Sequence, residues 1–351
     1  MPSLNACKRL LCRTPPMKRT LITLEAIAER KNLVAAFHKA AKGKRHRRDV
    51  QAFLQHFDTN LNRLGDDIRA ARLPYGKFRA FQIHDPKKRL IHAACFEDRI
   101  FHHALMNLAG GVLERAMMPT SYACRPNMGV HKAAQHVQQH LRQYAYYAKI
   151  YISGYFAAID HARLLQVLLR RFKGAECTAQ LQRIIASHAS TPQCGLPIGS
   201  LTSQYFANYY LDGLDRLLAS LPAVRAHIRY MDDILWWCDS RQAVTATLQT
   251  VTRWLQQERG LQVKPTVQIQ PSKHGVSYCG FRILQGTIRL SRRRKRRYQQ
   301  RRQYWEQLYL NGMIDANQLQ LAHAAVQAIA AGTDSLAWRR ENLRRHPPLS
   351  L

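Results

Sequence analysis

Residues 226–238 read Ala-His-Ile-Arg-Tyr-Met-Asp-Asp-Ile-Leu-Trp-Trp-Cys. Two runs rich in β-branched and aromatic residues flank the adjacent acids Asp232 and Asp233, which predicts a tight β-hairpin with both acids at its tip. Like charges on neighbouring residues repel, and withdrawing them from water is costly without a cation. Two readings follow: the turn faces water, or a divalent cation compensates the acids. Oxygen-only ligation by one or two carboxylates suits Mg²⁺.

The rest of the chain is basic. Its 351 residues carry 54 Lys plus Arg against 22 Asp plus Glu, a formal charge of +32 with the 16 His neutral. That excess points to a polyanion, either nucleic acid or an acidic membrane surface. Apolar residues make up 46%, which argues against disorder and for two or three packed subdomains. No long uncharged apolar stretch exists, so no membrane span is expected. Residues 1–20 read as a loose basic leader: Lys8, Arg9 and Arg13 precede Pro15-Pro16 without the apolar segment of a secretory signal, and translation starts at Met1 or Met17. The 8 cysteines contain no Cys-x-x-Cys pair, so neither a zinc site nor a disulfide framework is expected, and a reducing cytoplasm is the default.

Working outward from the hairpin, apolar spacing predicts two or three helices over 22–72, split by the basic stretch Lys42–Arg48. Strand-like residues follow over 75–92, turning at Asp85-Pro86-Lys87-Lys88, then helices over Glu97–Met117 and His131–Tyr144. A strand is expected at Tyr147–Tyr151 and a helix at Asp160–Phe172. The loop Gly195-Leu-Pro-Ile-Gly199 opens a helix from Leu201 to Leu217, capped by Ser200 or Thr202. Beyond the acidic hairpin come a helix over 243–259 and a second hairpin over 276–290. Helices at Arg292–Leu310, Asp315–Ala330 and Ser335–Arg344 end the chain.

Tyr230-Met231-Asp232-Asp233 between apolar strands resembles the metal-binding box of reverse transcriptases. Other stretches resemble that family's boxes in the same order: Arg89 to His103, Ser121-Tyr-Ala-Cys-Arg125 with Gly129, and Tyr278-Cys-Gly-Phe-Arg282. The likeness covers roughly residues 20–345. Within Gly195–Gln204, the aliphatic Ile198 before Gly199 and Gln204 after Ser203 resemble the enzymes of diversity-generating retroelements, which copy template RNA with errors at adenines.

The resemblance implies an α+β right-hand polymerase fold: a basic leader over 1–20, fingers and the start of the palm over 21–145, palm with the catalytic hairpin over 146–287, and a helical basic thumb over 288–351. It implies an RNA-directed DNA polymerase that uses Mg²⁺ and deoxynucleoside triphosphates on a template RNA with a primer or cDNA strand. A small basic helical accessory protein is a further implied partner. Asp232 and Asp233 become catalytic metal ligands, Asp232 the more direct. Lys88, Arg89, Arg99, Phe156, Ile198, Gly199, Ser203, Gln204 and Met231 become nucleotide or template contacts. For Phe156 the other reading is a core residue, for Ile198 loop packing, and for Lys88, Arg89 and Arg99 solvated surface. Arg292, Arg293, Arg294, Lys295, Arg296 and Arg297, followed by Arg301-Arg302, read as a nucleic-acid backbone contact or as a solvated helix face. The neighbouring Tyr298, Tyr304 and Trp305 either stack on bases or anchor the helix.

One position departs from the family. The frame Tyr151-Ile-Ser-Gly-Tyr-Phe-Ala-Ala-Ile-Asp-His161 aligns with a pattern that begins in a metal-binding Asp, and here that position holds Tyr151. A phenol with an ordinary pKa near 10 is a poor Mg²⁺ ligand at neutral pH. Asp160 falls at the helix-capping position. The family's Lys before the second hairpin has no clear equivalent: Thr266 lies nearest its place and Lys264 two residues earlier. The chain is therefore an impaired polymerase, or a catalytically inactive RNA-binding protein on the same fold.

Overall fold

The computed structural model describes residues 18–84 and 88–348. Most of the basic leader and the Asp85-Pro86-Lys87 turn lie outside the described residues. In chain order the strands are β1 (Thr20–Leu21), β2 (Phe78–His84), β3 (Lys88–Ala94), β4 (Tyr146–Tyr151), β5 (Phe172–Lys173), β6 (Ala226–Tyr230), β7 (Asp233–Cys238), β8 (Gln268–Pro271), β9 (Val276–Tyr278), β10 (Phe281–Ile283) and β11 (Ile288–Leu290). They form a four-stranded sheet ordered β6-β7-β4-β8, a three-stranded sheet β11-β10-β9 and the pairs β2-β3 and β1-β5. The described residues fall into two compact units, interleaved along the chain: 18–124 with Tyr151–Ser220 and Gln249–Pro265, and Arg125–Ile150 with Leu221–Leu248 and 266–348.

The first unit is mainly helical. Four helices, Leu24–Ala28, Arg30–Ala41, Arg48–Gln55 and Phe57–Arg69, occupy the span where two or three were expected. Their apolar faces meet the long helix Phe96–Ala116, burying Leu33, Leu61, Leu64, Ile68, Ile100 and Leu105. Phe37, Phe53 and Phe96 pack ring to ring, with the centroids of Phe53 and Phe96 5.4 Å apart in an edge contact. The β2-β3 ribbon leaves this core with its distal part exposed on both faces. Buried Asp98 holds the ribbon's entry by accepting the backbone N–H groups of Tyr75 (2.7 Å) and Gly76 (3.0 Å).

Two departures from the sequence reading occur here. A helix at Ala175–Ala186 was not foreseen, although Cys177, Leu181, Ile184 and Ile185 carry its spacing and are buried. The helix expected over 201–217 breaks at Leu211 into Leu201–Tyr210 and Asp212–Ser220. The carboxylate of Asp212 accepts the backbone N–H of Met118 at 2.8 Å, so a tertiary bond anchors the second start.

The second unit is built on the four-stranded sheet. Side chains alternate along β7. Trp236 points to one face, its indole N–H donating to Thr247 Oγ1 (2.9 Å) on the helix Arg241–Arg259. Trp237 points to the other, against His140 of the helix Val130–Gln143 (5.1 Å between centroids) and Tyr147 of β4. Both indoles are fully buried, and each contributes about 4–6 kcal/mol from its 150–250 Å² at ~25 cal/mol/Å².

The hairpin expected over 276–290 is a three-stranded sheet. Gly280, in the turn from β9 to β10 at φ +81°, leaves no space for a side chain: a Cβ there would meet Arg294 Nε at 2.6 Å. The helices Arg292–Leu310, Ala316–Gln327 and Leu336–Arg345 complete the unit. Ser291 caps the first, and Asp315 with Gln318 forms a capping box on the second.

Candidate functional site

In the second unit, Tyr230 pairs with Asp233, so Met231 and Asp232 form a two-residue turn. Met231 adopts φ 54°, a left-handed conformation that costs a non-glycine residue about 1–3 kcal/mol. Asp232 therefore sits in the turn itself, and Asp233 is the first residue of β7. The Asp233 carboxylate is only 15% exposed and lies 3.5 Å from the ammonium of Lys149, which is 2% exposed. The same ammonium donates to the Ser277 carbonyl and lies 5.3 Å from the Tyr278 ring centroid. Tyr278 in turn donates its hydroxyl to the Asp233 carbonyl at 3.0 Å. Burial pushes the Lys149 pKa down, and Asp233 opposes that shift. Sequence reasoning overlooked Lys149. Its signal was a lone cation inside the apolar strand Tyr146-Tyr-Ala-Lys-Ile-Tyr151.

The first unit contains Tyr151 and the 195–204 loop. The Tyr151 carbonyl accepts the N–H of Lys264 at 2.8 Å, and the Lys264 ammonium lies 5.8 Å from the Tyr151 ring centroid. Lys264 is thus a cation beside this strand end. The loop is fixed by backbone bonds: His92 N–H to the Ile198 carbonyl, Leu196 N–H to Phe156 and Gly195 N–H to Ile159, each 2.9 Å. Phe156 and Ile198 are both half-buried, while Ser203 is buried. Gln204 accepts the Cys124 thiol at 3.7 Å.

Ser200 occupies the N-cap position, but its hydroxyl turns instead to His102 Nδ1 and Thr202 Oγ1, each 3.0 Å away. Burial lowers the His102 pKa to about 4, so the ring is neutral at physiological pH. Asp160 does cap its helix, accepting Arg163 N–H at 2.7 Å.

Gly199 has φ +114°, and a Cβ there would lie 2.8 Å from Ile91 Cγ2. Gly199→Ala is expected to lower stability by about 1–3 kcal/mol through the combined strain and overlap. A urea melt with an unchanged midpoint would contradict this.

The fingers cations separate by environment. Lys88 and Arg89 are exposed on β3, opposite His84 and Ile83. Arg99 pairs with Asp49 at 2.7 Å and stacks 5.1 Å from the Phe96 ring centroid, a setting that ties it to packing between helices.

The basic run also divides. Arg292, Arg293, Arg296, Arg297 and Arg301 are exposed on the helix Arg292–Leu310. Arg294 turns inward, 4.0 Å from the Phe281 ring centroid, and donates to the Cys279 carbonyl at 3.1 Å. Lys295 lies 5.2 Å from the Trp338 ring centroid, and Arg302 is buried beside Glu306. Tyr298 is buried edge-on to Trp338, whereas Tyr304 is exposed. Cations in the first turn of a helix oppose its dipole, and no acid occupies that turn. Phosphate groups would reverse that penalty.

The donor set does not fit the two-magnesium centre that the resemblance implies. One of the two acids is paired with a buried ammonium, and the alignment expects a phenol where a third ligand would stand. Among the described residues no three His, Cys, Asp or Glu side chains converge into a metal-binding group. Nor, among them, is any helix long and apolar enough to cross a membrane.

Comparison with known proteins places the chain. Residues 83–283 match the family model "Reverse transcriptase (RNA-dependent DNA polymerase)". No curated protein matches. Among solved structures, telomerase from Candida tropicalis in complex with a TWJ fragment of telomeric RNA is similar at 10% identity and a TM-score of 0.49, covering 77% of this chain and 55% of that one. Telomerase from Candida albicans with a TWJ fragment is similar at 10% identity and a TM-score of 0.46, covering 76% and 56%. The chain spans little more than half the length of these structures. With most of its length matched by that family model and with its mixed helix-and-strand architecture, the chain belongs to the reverse transcriptase (RNA-dependent DNA polymerase) family and has the right-hand polymerase fold.

Proposed function

We propose that the chain engages a template RNA and its copied strand as an error-prone polymerase of the diversity-generating kind, with nucleotidyl transfer impaired at Tyr151. One observation supports the reading. β4 ends in Tyr151, so in this alignment a phenol stands on the strand where the family presents a carboxylate. In this reading 21–145 supplies fingers and the start of the palm, 146–287 the palm, and 288–351 a thumb that follows the phosphate backbone. Deoxynucleoside triphosphates are the substrates, and Mg²⁺ is the metal of the family, which the donor set here fits poorly. A small basic helical protein is a candidate partner, and a reducing cytoplasm is the setting.

The pairing of Asp233 with Lys149 favours a second reading, an RNA-binding protein without polymerase activity. Primer extension on an RNA template separates the two: incorporation above a no-enzyme control supports the first, and its absence, together with tight RNA binding, the second.

Ile198 has a definite role in the first reading. An aliphatic side chain cannot hydrogen-bond near an incoming nucleotide, so mispairs are rejected less strictly. Ile198→Gln, made in the Tyr151→Asp background, is expected to lower misincorporation opposite template adenine several-fold, read by sequencing the products. Equal error spectra would remove Ile198 from the fidelity role.

A further inference from the structure

The basic stretch Lys42–Arg48 joins the helices Arg30–Ala41 and Arg48–Gln55 of the first unit. From Lys39 to Arg48 the sequence holds Lys39, Lys42, Lys44, Arg45, Arg47 and Arg48 and no acid. The backbone of this stretch is nevertheless ordered by turn bonds. The Lys44 N–H donates to the Ala41 carbonyl at 2.9 Å, and the Arg47 N–H to the Lys44 carbonyl at 3.0 Å. The Gln51 side-chain amide donates to the Arg45 carbonyl. Beneath it, the packed rings of Phe37, Phe53 and Phe96 hold both helices against Phe96–Ala116.

That packing brings cations from distant parts of the sequence together. Lys39 reaches Asn107 on the long helix. Arg99, stacked over Phe96, lies 2.7 Å from Asp49 Oδ2, and Arg47 lies 3.8 Å from Asp49 Oδ1. Asp49 Oδ1 also accepts the Val50 N–H at 3.1 Å, so one carboxylate serves two guanidiniums and the start of its own helix. Neighbouring groups register the resulting field. Desolvation, then Lys39, Lys44 and Arg99, push the His103 pKa down to about 4. The Lys44 ammonium is shifted down as well, by desolvation and then by Arg99 and Arg47.

The helix dipoles divide the run. Lys39 stands in the last turn of Arg30–Ala41 and Lys42 at its C-cap, where cations are favoured. Arg47 and Arg48 stand at the N-terminal end of Arg48–Gln55, where cations are disfavoured and Asp49 is the acid of the first turn. Folding does not reward positive charge at that second position, whereas a bound polyanion would. The stretch carries no large apolar side chain to enter a bilayer. Guanidinium groups suit phosphate oxygens through paired N–H donors.

We infer that Lys44, Arg47 and Arg48 form a site for consecutive phosphates of an RNA backbone, on a loop that Arg99 and Asp49 hold against the long helix. The inference rests on the reading of the chain as an RNA binder. It adds to the arginine helix of the second unit a separate phosphate contact on the first.

The experiment measures binding of labelled poly(A) RNA to the full chain over a range of salt. Lys44→Gln/Arg47→Gln/Arg48→Gln is compared with wild type and with Lys31→Gln/Arg63→Gln/Arg253→Gln, which removes the same charge from other exposed positions of the first unit. The site variant is expected to reduce the slope of log affinity against log salt by about 2, which is ~10²-fold weaker binding at about 0.1 M salt. The control variant is expected to keep the wild-type slope. Relief of like-charge repulsion should let the site variant melt at or above wild type. Lys44→Gln/Arg48→Gln, which leaves Arg47 beside Asp49, repeats the measurement and should lose about two-thirds of the same slope.

Equal slopes for wild type and both site variants would overturn the proposal, as would equal losses in site and control variants. Site variants that melt well below wild type would make the run structural and overturn it too. ATP and phosphatidylserine vesicles are titrated in parallel. Loss of either interaction in the site variants with an unchanged RNA slope would assign the cations to a nucleotide or a lipid surface instead. A wild-type chain that does not bind RNA overturns the RNA reading itself, whereas wild-type binding with an unaffected site variant overturns this site alone.

Discussion

Tyr151→Asp is expected to raise primer extension on an RNA template by roughly 10²–10³-fold over the natural chain, the scale associated with a group that stabilises charge developing in a transition state. The phenol ring lies beside the Lys264 ammonium, and Tyr151 closes β4. A carboxylate at that strand end would offer an oxygen ligand that is ionised at neutral pH, where a phenol of ordinary pKa is not. The gain should appear mainly in kcat, because the proposed reading assigns RNA binding to other residues, and should require added Mg²⁺ or Mn²⁺. Equal rates for the two proteins would mean that Tyr151 does not occupy the family's carboxylate position.

The second large effect concerns the arginine helix. Replacing Arg292, Arg293, Arg296 and Arg297 together by Gln should reduce the slope of log affinity against log salt by about 3, since each phosphate contact contributes roughly 0.7–0.9. At about 0.1 M salt this corresponds to ~10³-fold weaker RNA binding. Stability should move the other way. Arg292 with Arg296 and Arg293 with Arg297 are like-charge pairs four residues apart, each unfavourable by about 0.2–0.5 kcal/mol, and they crowd the positive end of the helix dipole. The variant should therefore melt slightly higher while binding far more weakly. A solvated face without nucleic-acid contact predicts the stability gain alone, with an unchanged salt slope in a filter-binding titration. Arg294 and Lys295 are left out of the replacement because their stems and heads pack on Phe281 and Trp338, so changing them would damage the fold as well as the charge.

How far the chain could be read depended on how local each feature is. The acidic hairpin was legible because period-two alternation of Ile228, Tyr230, Ile234 and Trp236 around two acids needs no distant partner. The Asp160 cap was legible for the same reason. Ser200 holds the expected N-cap position, yet a buried imidazole nearly a hundred residues earlier in the chain captured its hydroxyl, which no local rule anticipates. The break at Leu211 follows the same logic, since the bond that anchors Asp212 comes from Met118.

By itself the sequence determined the charge, the order of most helices and strands, the twin acids in a tight turn and the phenol at Tyr151. Each is a property of a residue or of its near neighbours. Only the tertiary structure decided which members of a group share a role. It divided the arginine run into an outward row and three inward cations, assigned Arg99 to Asp49, and set Lys149 against one acid of two. The physical reason is that burial and pairing depend on which strands and helices lie side by side. A lysine in an apolar strand reads as an anomaly until the carboxylate that makes its burial tolerable is found on the neighbouring strand.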